Sequence, residues 1–271
     1  DRILASNGEI DTSEPEAGTG TDGQQNTAFL DHLFSAPDNV PVTARDAGRT
    51  PDANILKANI LSRQGHFKEA LAVLAETLRN CDSGPDLARL HYSTASIYRK
   101  QGVYPFALKE INLSLSLAGD DALMEGRCMM EKAMILYGSG KASESLKLLD
   151  SAAEMFRRED SQVDILRCGI NKGLSLKGLG DIPNARHTLE ESLALAEKVG
   201  LERFKAYALV NLSDILNEQG EFHGSKVMAE RSGDLFRVLD EPLMMALSLF
   251  NLGTALAGLG DKDGAMANMD R

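Results

Sequence analysis

Three asparagines recur at an interval of 40 residues in the second half of the chain: Asn171, Asn211 and Asn251. A primary amide offers two N–H donors and a carbonyl acceptor, so it can bond both the C=O and the N–H of a peptide backbone. A regular interval in a repeating fold would place the three amides in a row on one surface. The row predicts a site for the main chain of an extended peptide. Alternatively, the amides bond neighbouring helices and only set the arrangement of those helices.

Three arginines recur in a similar way, since Arg89, Arg127 and Arg167 lie 38 and 40 residues apart. A guanidinium pairs well with a carboxylate, often through two parallel hydrogen bonds, so this row predicts that the peptide is acidic. The alternative is a solvated face with local ion pairs, because Arg127 and Glu131 are four residues apart on one predicted helix. Further cations and tyrosines are expected beside the row and complete the candidate peptide site: Arg99, Lys177, Tyr137 and Tyr207.

No combination of residues in the sequence is typical of a catalytic or metal site. The five histidines fall at unrelated positions, which predicts no set of metal ligands. Cys128 and Cys168 recur at an interval of 40, either as small side chains packed on a helix or as a redox pair. The GTGTDG stretch at 18–23 follows no strand pattern, which a dinucleotide-binding loop requires. We therefore predict that the protein is not an enzyme and uses no metal or cofactor.

Composition argues against several classes of partner. The 271 residues carry a net charge of −11, whereas sequence-independent binding of nucleic acid needs a basic surface. No apolar run approaches the roughly 18 residues of a membrane-spanning helix. The three cysteines form no C-x-x-C pair, as is typical of a reducing compartment. We expect a cytoplasmic protein that contacts neither nucleic acid nor membrane directly.

The asparagine and arginine intervals belong to a repeat that runs through residues 51–271. Each unit has a glycine between two amphipathic stretches, and these glycines are 37, 38, 40, 40 and 40 residues apart: Gly65, Gly102, Gly140, Gly180, Gly220 and Gly260. Glycine suits a turn after a helix because it adopts positive φ without steric cost. A small residue lies five positions after each glycine, and another lies seven positions before it. The pattern predicts two antiparallel helices per unit that approach closely through these small residues.

The unit resembles the tetratricopeptide repeat, as NLGTALAGLGDKDGA at 251–265 and NLSDILNEQGEFHGS at 211–225 illustrate. Its period of 40 is similar to that of the long-helix subclass, which includes Pins/LGN adaptors, kinesin light chains, MalT-type sensor arms and Rap-type regulators. The resemblance implies an all-α, right-handed superhelical solenoid of antiparallel helix pairs, with five full units and a truncated sixth. It also implies that the first helix of each unit lines a concave groove, where an asparagine row contacts the main chain of the ligand.

Residues 1–50 have a different composition. They carry a net charge of −6, are rich in Gly, Thr, Asp and Pro, and lack sustained apolar periodicity, which predicts a largely flexible acidic tail. Within this tail, four apolar residues would share one face of a short helix at 27–35: Phe29, Leu30, Leu33 and Phe34. The short helix either covers the apolar edge of the first repeat unit or docks on another protein.

The leading functional interpretation is a scaffold or adaptor for protein–protein interaction that holds an extended, acidic peptide in its concave groove. The alternative is a regulatory or oligomerising arm of a larger sensor or transcription regulator, whose groove binds a small effector. The truncated sixth unit leaves an unfinished C-terminal edge, so self-association through that edge is a further expectation.

Overall fold

The computed structural model describes residues 51–269, which form twelve α-helices and contain no strand. The helices are α1 (Pro51–Arg63), α2 (Phe67–Arg79), α3 (Gly84–Lys100), α4 (Tyr104–Leu117), α5 (Ala122–Gly138), α6 (Ala142–Arg158), α7 (Gln162–Gly178), α8 (Ile182–Val199), α9 (Glu202–Glu218), α10 (Phe222–Val238), α11 (Pro242–Gly258) and α12 (Lys262–Met269). They form six consecutive pairs, α1–α2 to α11–α12, which we number as units one to six. The all-α class predicted from the sequence is confirmed. The predicted tail at 1–50 and its short helix at 27–35 lie outside the described residues.

The turn inside each unit depends on its glycine. All six repeat glycines have positive φ, between 73° and 85°. At Gly140, for example, the backbone N–H bonds to Tyr137 O at 2.9 Å, and the next N–H, that of Lys141, bonds to Leu136 O at 2.8 Å. These bonds satisfy the last carbonyls of α5, and the left-handed conformation that they require is costly for a residue with a Cβ. The predicted turn positions are therefore confirmed.

Small residues let the two helices of a unit pack closely. The residues five positions after the turn glycine are all buried: Ala70, Ala107, Ser145, Ala185, Ser225 and Ala265. In unit five, Ser225 Oγ donates at 2.8 Å to the backbone O of Ser213, which lies seven positions before the glycine. In unit four, a Cβ at Gly173 would lie 2.6 Å from Leu189 Cγ. The small-residue contact predicted from the sequence is therefore present, and a larger residue at Gly173 would not fit.

The six units form a superhelical array rather than one central core. Each helix packs on the next along the chain, and the apolar side chains form a series of clusters along the array. The largest cluster includes Tyr207 and Phe236, whose rings meet edge to face with centroids 5.2 Å apart. The first helices of neighbouring units pack on one another more closely than the second helices do, so they line the concave side. We call this concave surface the inner face.

Candidate functional site

The ten predicted site residues all lie on first helices, and the structure buries most of them. Six are no more than 5% exposed: Asn171, Asn211, Asn251, Arg99, Arg167 and Tyr207. The other four are half-buried: Arg89, Arg127, Tyr137 and Lys177. The prediction assumed an open groove, but neighbouring first helices pack together along this face. The six enclosed side chains are therefore inaccessible to a ligand in this conformation.

The asparagines occupy equivalent positions in their units but have different partners. Asn251 Nδ2 donates to Val210 O at 3.1 Å and to Ser213 Oγ at 2.8 Å, so it ties α11 to α9. Asn211 Nδ2 donates at 2.7 Å to the carbonyl four residues earlier in its own helix. For Asn251, the bonding between helices that the sequence left as an alternative is the observed arrangement.

Asn171 differs from Asn251 in the residue that the preceding unit has at the position of Ser213. Ser213, which binds Asn251, lies seven positions before its turn glycine, and in the unit that precedes Asn171 this position is Ala133. Neither Nδ2 nor Oδ1 of Asn171 has a hydrogen-bond partner among residues 51–269, and both atoms are buried. Buried polar groups are rarely left in this condition. Asn171 is thus a predicted site residue whose entire bonding capacity is unused within the described chain.

Arg127 and Arg167 share one buried carboxylate. Asp164 is fully buried, and its Oδ2 lies 3.0 Å from Arg127 Nη2 while its Oδ1 lies 3.4 Å from Arg167 Nη1. Ser161 Oγ donates to the same carboxylate at 2.8 Å. This cluster links α5 to α7 and neutralises part of the arginine row.

Arg89 and Lys177 are paired in more exposed settings. The guanidinium of Arg89 binds Asp52 of α1 and a second aspartate one turn earlier in its own helix. Lys177 Nζ binds Asp214 and, at 2.8 Å, Glu218 Oε1, both in α9. Burial would lower the pKa of Lys177, but the two carboxylates outweigh that effect and raise it.

Glu131, which the sequence offered as an alternative partner for Arg127 within one helix, accepts through Oε1 from Arg99 Nε at 2.7 Å. The physical reason is burial, because Glu131 is fully buried where α5 packs on α3, and a carboxylate there needs a cation from the neighbouring unit. Arg127 is left to bind the carboxylate of the following unit.

The carboxylates on the inner face were missed by the sequence reasoning, although the sequence contains a signal for them. Four charged pairs between units join residues that are 37 or 38 positions apart: Asp52–Arg89, Arg127–Asp164, Lys177–Asp214 and Arg203–Glu241. The last three pairs lie across repeats of 40 residues, so their members are offset by about one helical turn in adjacent units, whereas Asp52 and Arg89 lie at the same position of units that are 37 residues apart. A search for opposite charges at that separation would have found all four pairs.

The two tyrosines of the predicted site pack against neighbouring units. Tyr207 Oη donates to Glu241 Oε2 at 2.8 Å, and burial together with this carboxylate raises the pKa of Tyr207. The ring of Tyr137 covers Gly178, where a Cβ would lie 2.7 Å from it. Burial also raises the pKa of Tyr137. Tyr137 is half-buried, so it is the tyrosine of the predicted site that a ligand on the inner face can contact.

The cysteines behave as packed side chains. Cys128 Sγ lies 3.0 Å from Ser114 Oγ, and Cys168 Sγ donates to Leu149 O at 3.1 Å. Burial raises the pKa of Cys128 to about 11 and that of Cys168 to about 12. Both thiols are protonated at neutral pH, which favours the packing interpretation over a reactive redox pair. In residues 51–269, no group of three or more His, Cys, Asp or Glu residues is placed to hold a metal ion.

The turn glycines, the small-residue contacts and the inner row of first helices give this chain the architecture that tetratricopeptide repeats form. Residues 55–122 match the family model described as tetratricopeptide repeat. The resemblance inferred from the sequence is therefore confirmed. A search of curated proteins finds no match to this chain. Among the helices of the described range, none is both long and apolar enough to cross a membrane.

Solved structures share this fold at low sequence identity. A Rap protein complexed with competence and sporulation factor has a TM-score of 0.70 and 17% identity, covering 81% of this chain and 62% of that chain. Aspartyl phosphate phosphatase F from Bacillus subtilis has a TM-score of 0.69 and 12% identity, covering 92% and 63%. A signal transduction ATPase with a tetratricopeptide repeat sensor, from Pyrococcus horikoshii, has a TM-score of 0.66 and 15% identity, covering 82% and 35%. This chain spans less than two thirds of the length of each, and the likeness is one of fold.

Proposed function

We propose that the array is a scaffold or adaptor that binds an extended segment of another protein along its inner face. The supporting observation is the Asn171 amide, whose donors and acceptor are unpaired within residues 51–269. A peptide main chain supplies the C=O and the N–H that such an amide needs. No metal or cofactor is required for this function.

The bonding pattern ranks the three asparagines as ligand contacts. A buried polar group without a partner costs about 1–3 kcal/mol. A ligand that forms hydrogen bonds with Asn171 would recover this free energy. No hydrogen bond to another described residue fixes the present rotamer of Asn171, so rotation toward the groove breaks none within residues 51–269. Asn251 would first have to release its bonds to α9. We assign the first main-chain contact to Asn171, the second to Asn211, which bonds only its own helix, and a structural role to Asn251.

An acidic ligand would exchange with carboxylates of the array. Asp52 and Asp214, which bind Arg89 and Lys177, have side chains that are 40% and 38% exposed, so a carboxylate of the ligand can replace either one. The exchange substitutes one exposed ion pair for another, and such pairs contribute about 0–1 kcal/mol. Acidic side chains would therefore select among peptides. Main-chain bonds and contact with Tyr137 would supply most of the affinity.

A random peptide library displayed on phage tests the proposal, because it requires no assumption about the sequence of the partner. Enriched peptides are synthesised, and fluorescence anisotropy gives their Kd for the wild type, for Asn171→Ala and for Asn112→Ala. Asn112 is the matched control, because its side chain is exposed on the second helix α4. We expect Asn171→Ala to weaken binding about 5- to 10-fold, since one or two lost hydrogen bonds cost about 1–1.5 kcal/mol. Asn112→Ala should leave Kd unchanged.

The role of the cations is tested with a charge-matched pair of double variants. Arg89→Gln with Lys177→Gln removes two charges from the inner face, and Lys109→Gln with Lys147→Gln removes two exposed charges from α4 and α6. The inner variant should weaken acidic peptides and flatten the salt dependence of Kd, because exposed ion pairs are screened by salt. The outer variant should do neither. If no peptide is enriched, or if enriched peptides bind every variant equally well, the inner face is not a peptide-binding site and the proposal is wrong.

A regulatory or oligomerising arm of a larger protein is the second candidate. It is favoured by the likeness in fold to arrays that belong to longer chains, of which this chain spans 62%, 63% and 35%. A small effector would then occupy the inner face, and the peptide library would yield no ligand. The sequence of the full reading frame that encodes this chain distinguishes these two candidate functions. A DNA-binding or catalytic domain in the same polypeptide would support the regulatory arm over the adaptor.

A further inference from the structure

The second helix of unit two, α4, has an outer surface unlike that of the other second helices. Phe106 is 56% exposed and Leu113 is 39% exposed. They are seven residues apart, which is close to two helical turns, so both lie on one stripe of the helix. The equivalent residues in units one, three, four and five are polar or glycine: Glu69 and Glu76, Glu144 and Ser151, Asn184 and Glu191, Gly224 and Arg231. We call Phe106 and Leu113, with Lys109 and Glu110 between them, the α4 stripe.

α4 also has few charges and a well-supported aromatic side chain. Lys109 and Glu110 are its two charged residues, whereas α2, α6, α8 and α10 each contain between four and six. The ring of Phe106 packs on that of Tyr98 with centroids 5.5 Å apart, so less side-chain freedom remains to be lost when another molecule covers it. Depletion of charge around an aromatic anchor is typical of the core of a protein–protein interface.

The α4 stripe is complementary to itself when two copies of it run antiparallel. With a two-fold axis between positions 109 and 110, Phe106 of each copy would face Leu113 of the other. Lys109 of each copy would then face Glu110 of the other. Lys109 is exposed and has no ion pair among residues 51–269, and Glu110 is held in place by His91, whose Nδ1 lies 2.6 Å from Glu110 Oε2. A parallel pair in register would instead bring like charges together, so both the apolar residues and the charges favour the antiparallel arrangement.

We propose that the α4 stripe binds a second copy of this chain, so that two arrays associate around a two-fold axis through antiparallel α4 helices. The same surface then serves both copies, as in most symmetric dimers. α4 has 14 residues and is about 21 Å long, so the contact is small and the dimer is reversible, with a Kd in the micromolar range. Second helices lie on the outer side of the array, and the dimer therefore leaves both inner faces accessible. The inference does not depend on the inner face as a ligand site.

Sedimentation velocity of the 271-residue chain over a range of concentrations tests the dimer. The informative variant combines Phe106→Glu with Leu113→Glu, which unit one tolerates at the equivalent positions, Glu69 and Glu76. We expect this variant to raise the dimer Kd at least about 30-fold, since the loss of one hot-spot residue already has that effect. Val227→Glu removes another apolar side chain, 51% exposed on α10, and should leave the Kd unchanged.

Two results of this measurement would overturn the proposal. One is a wild-type chain that stays monomeric throughout the micromolar range. The other is a dimer that persists in the double variant, because such a dimer uses another surface, such as the C-terminal edge. Circular dichroism of each variant confirms that a lost dimer does not reflect a lost fold.

Cross-linking tests the antiparallel orientation. In a Cys81→Ser background, Phe106→Cys and Leu113→Cys are made in separate chains of different tag, and a short bismaleimide is added; Cys128 and Cys168 are buried. The mixture should yield cross-linked dimers of unlike chains. Either variant alone should yield few, because the two copies of one position lie about 10 Å apart along the helix axes. Equal cross-linking of like and unlike chains, or none in the mixture, would refute the arrangement.

Discussion

Alanine at Asn171 and alanine at Asn251 should have different effects on stability, although the two residues occupy equivalent positions in their units. Asn251→Ala removes two hydrogen bonds to α9, each worth about 1 kcal/mol, and leaves a small cavity. We expect a loss of about 2–3 kcal/mol. Asn171→Ala removes no hydrogen bond among residues 51–269 and removes two buried polar atoms that are unsatisfied within that range. Removal of these unsatisfied atoms should offset the destabilisation caused by the cavity. The free energy of unfolding should therefore change by less than about 1 kcal/mol.

Urea unfolding followed by circular dichroism gives the overall stability of each variant. Because units of a repeat array can open separately, peptide-level hydrogen exchange is the more direct assay. Exchange should accelerate in α9 and α11 of Asn251→Ala, and exchange in α5 and α7 of Asn171→Ala should match the wild type. Asn112→Ala, which loses an exposed hydrogen bond from Lys132 Nζ, serves as the control for the substitution itself.

A loss of more than about 2 kcal/mol in Asn171→Ala would refute the reasoning, because it would mean that the amide is bonded, for example to a buried water. The converse substitution sharpens the test. Ala133→Ser introduces a hydroxyl into unit three at the position that Ser213 occupies in unit five, where it binds Asn251. If the missing hydroxyl explains the unpaired amide, Asn171→Ala should lower the free energy of unfolding when it is made in the Ala133→Ser background. Ala133→Ser should also weaken peptide binding.

Two further predictions concern charge and protonation. Arg127→Gln should destabilise the array by about 2–3 kcal/mol and Arg89→Gln by less than about 1, because Asp164 is fully buried whereas the partners of Arg89 are partly exposed; equal urea midpoints would contradict this. Stability should fall as pH rises above about 9, since thiols ionise near 9.0 when unfolded, whereas folded Cys128 and Cys168 keep their protons to about 11 and about 12. The urea midpoint of the Cys128→Ala, Cys168→Ala variant should vary less between pH 8 and pH 10, and an identical pH dependence would exclude this explanation.

Much of the fold could be predicted because it depends on local stereochemistry. Gly140 and its equivalents need positive φ, which few other residues accept, so their spacing marks the turns. The contact between Ser213 and Ser225 could be predicted for a similar reason, since only small side chains allow that approach. Both features are visible in a single sequence because the repeat shows each of them six times.

The state of the inner face could not be predicted in the same way. Repeat spacing placed Asn171 and Asn251 at one position, but the equivalent residue in the preceding unit is Ala133 for Asn171 and Ser213, which bonds the amide, for Asn251. Repeat spacing also aligned the arginines, but it did not show that neighbouring first helices enclose them with carboxylates such as Asp164. Partners of this kind depend on the offset between adjacent units, which follows from how the units pack. Opposite charges 37 residues apart reflect that offset. They can be recognised as pairs between units only after the solenoid fold is assumed.

The charged pairs between units also set where the array can flex. Arg99–Glu131 and Arg127–Asp164 each include a carboxylate shielded from solvent, so the joints between units two and three and between three and four resist bending. Asp52–Arg89 and Lys177–Asp214 are partly solvated, and dissolved salt weakens them. We therefore expect the joints after units one and four to bend more readily than the joints on either side of unit three. A change in ionic strength should alter the superhelical pitch of the array chiefly at the joints after units one and four. The affinity for a ligand that spans both joints should then depend on ionic strength.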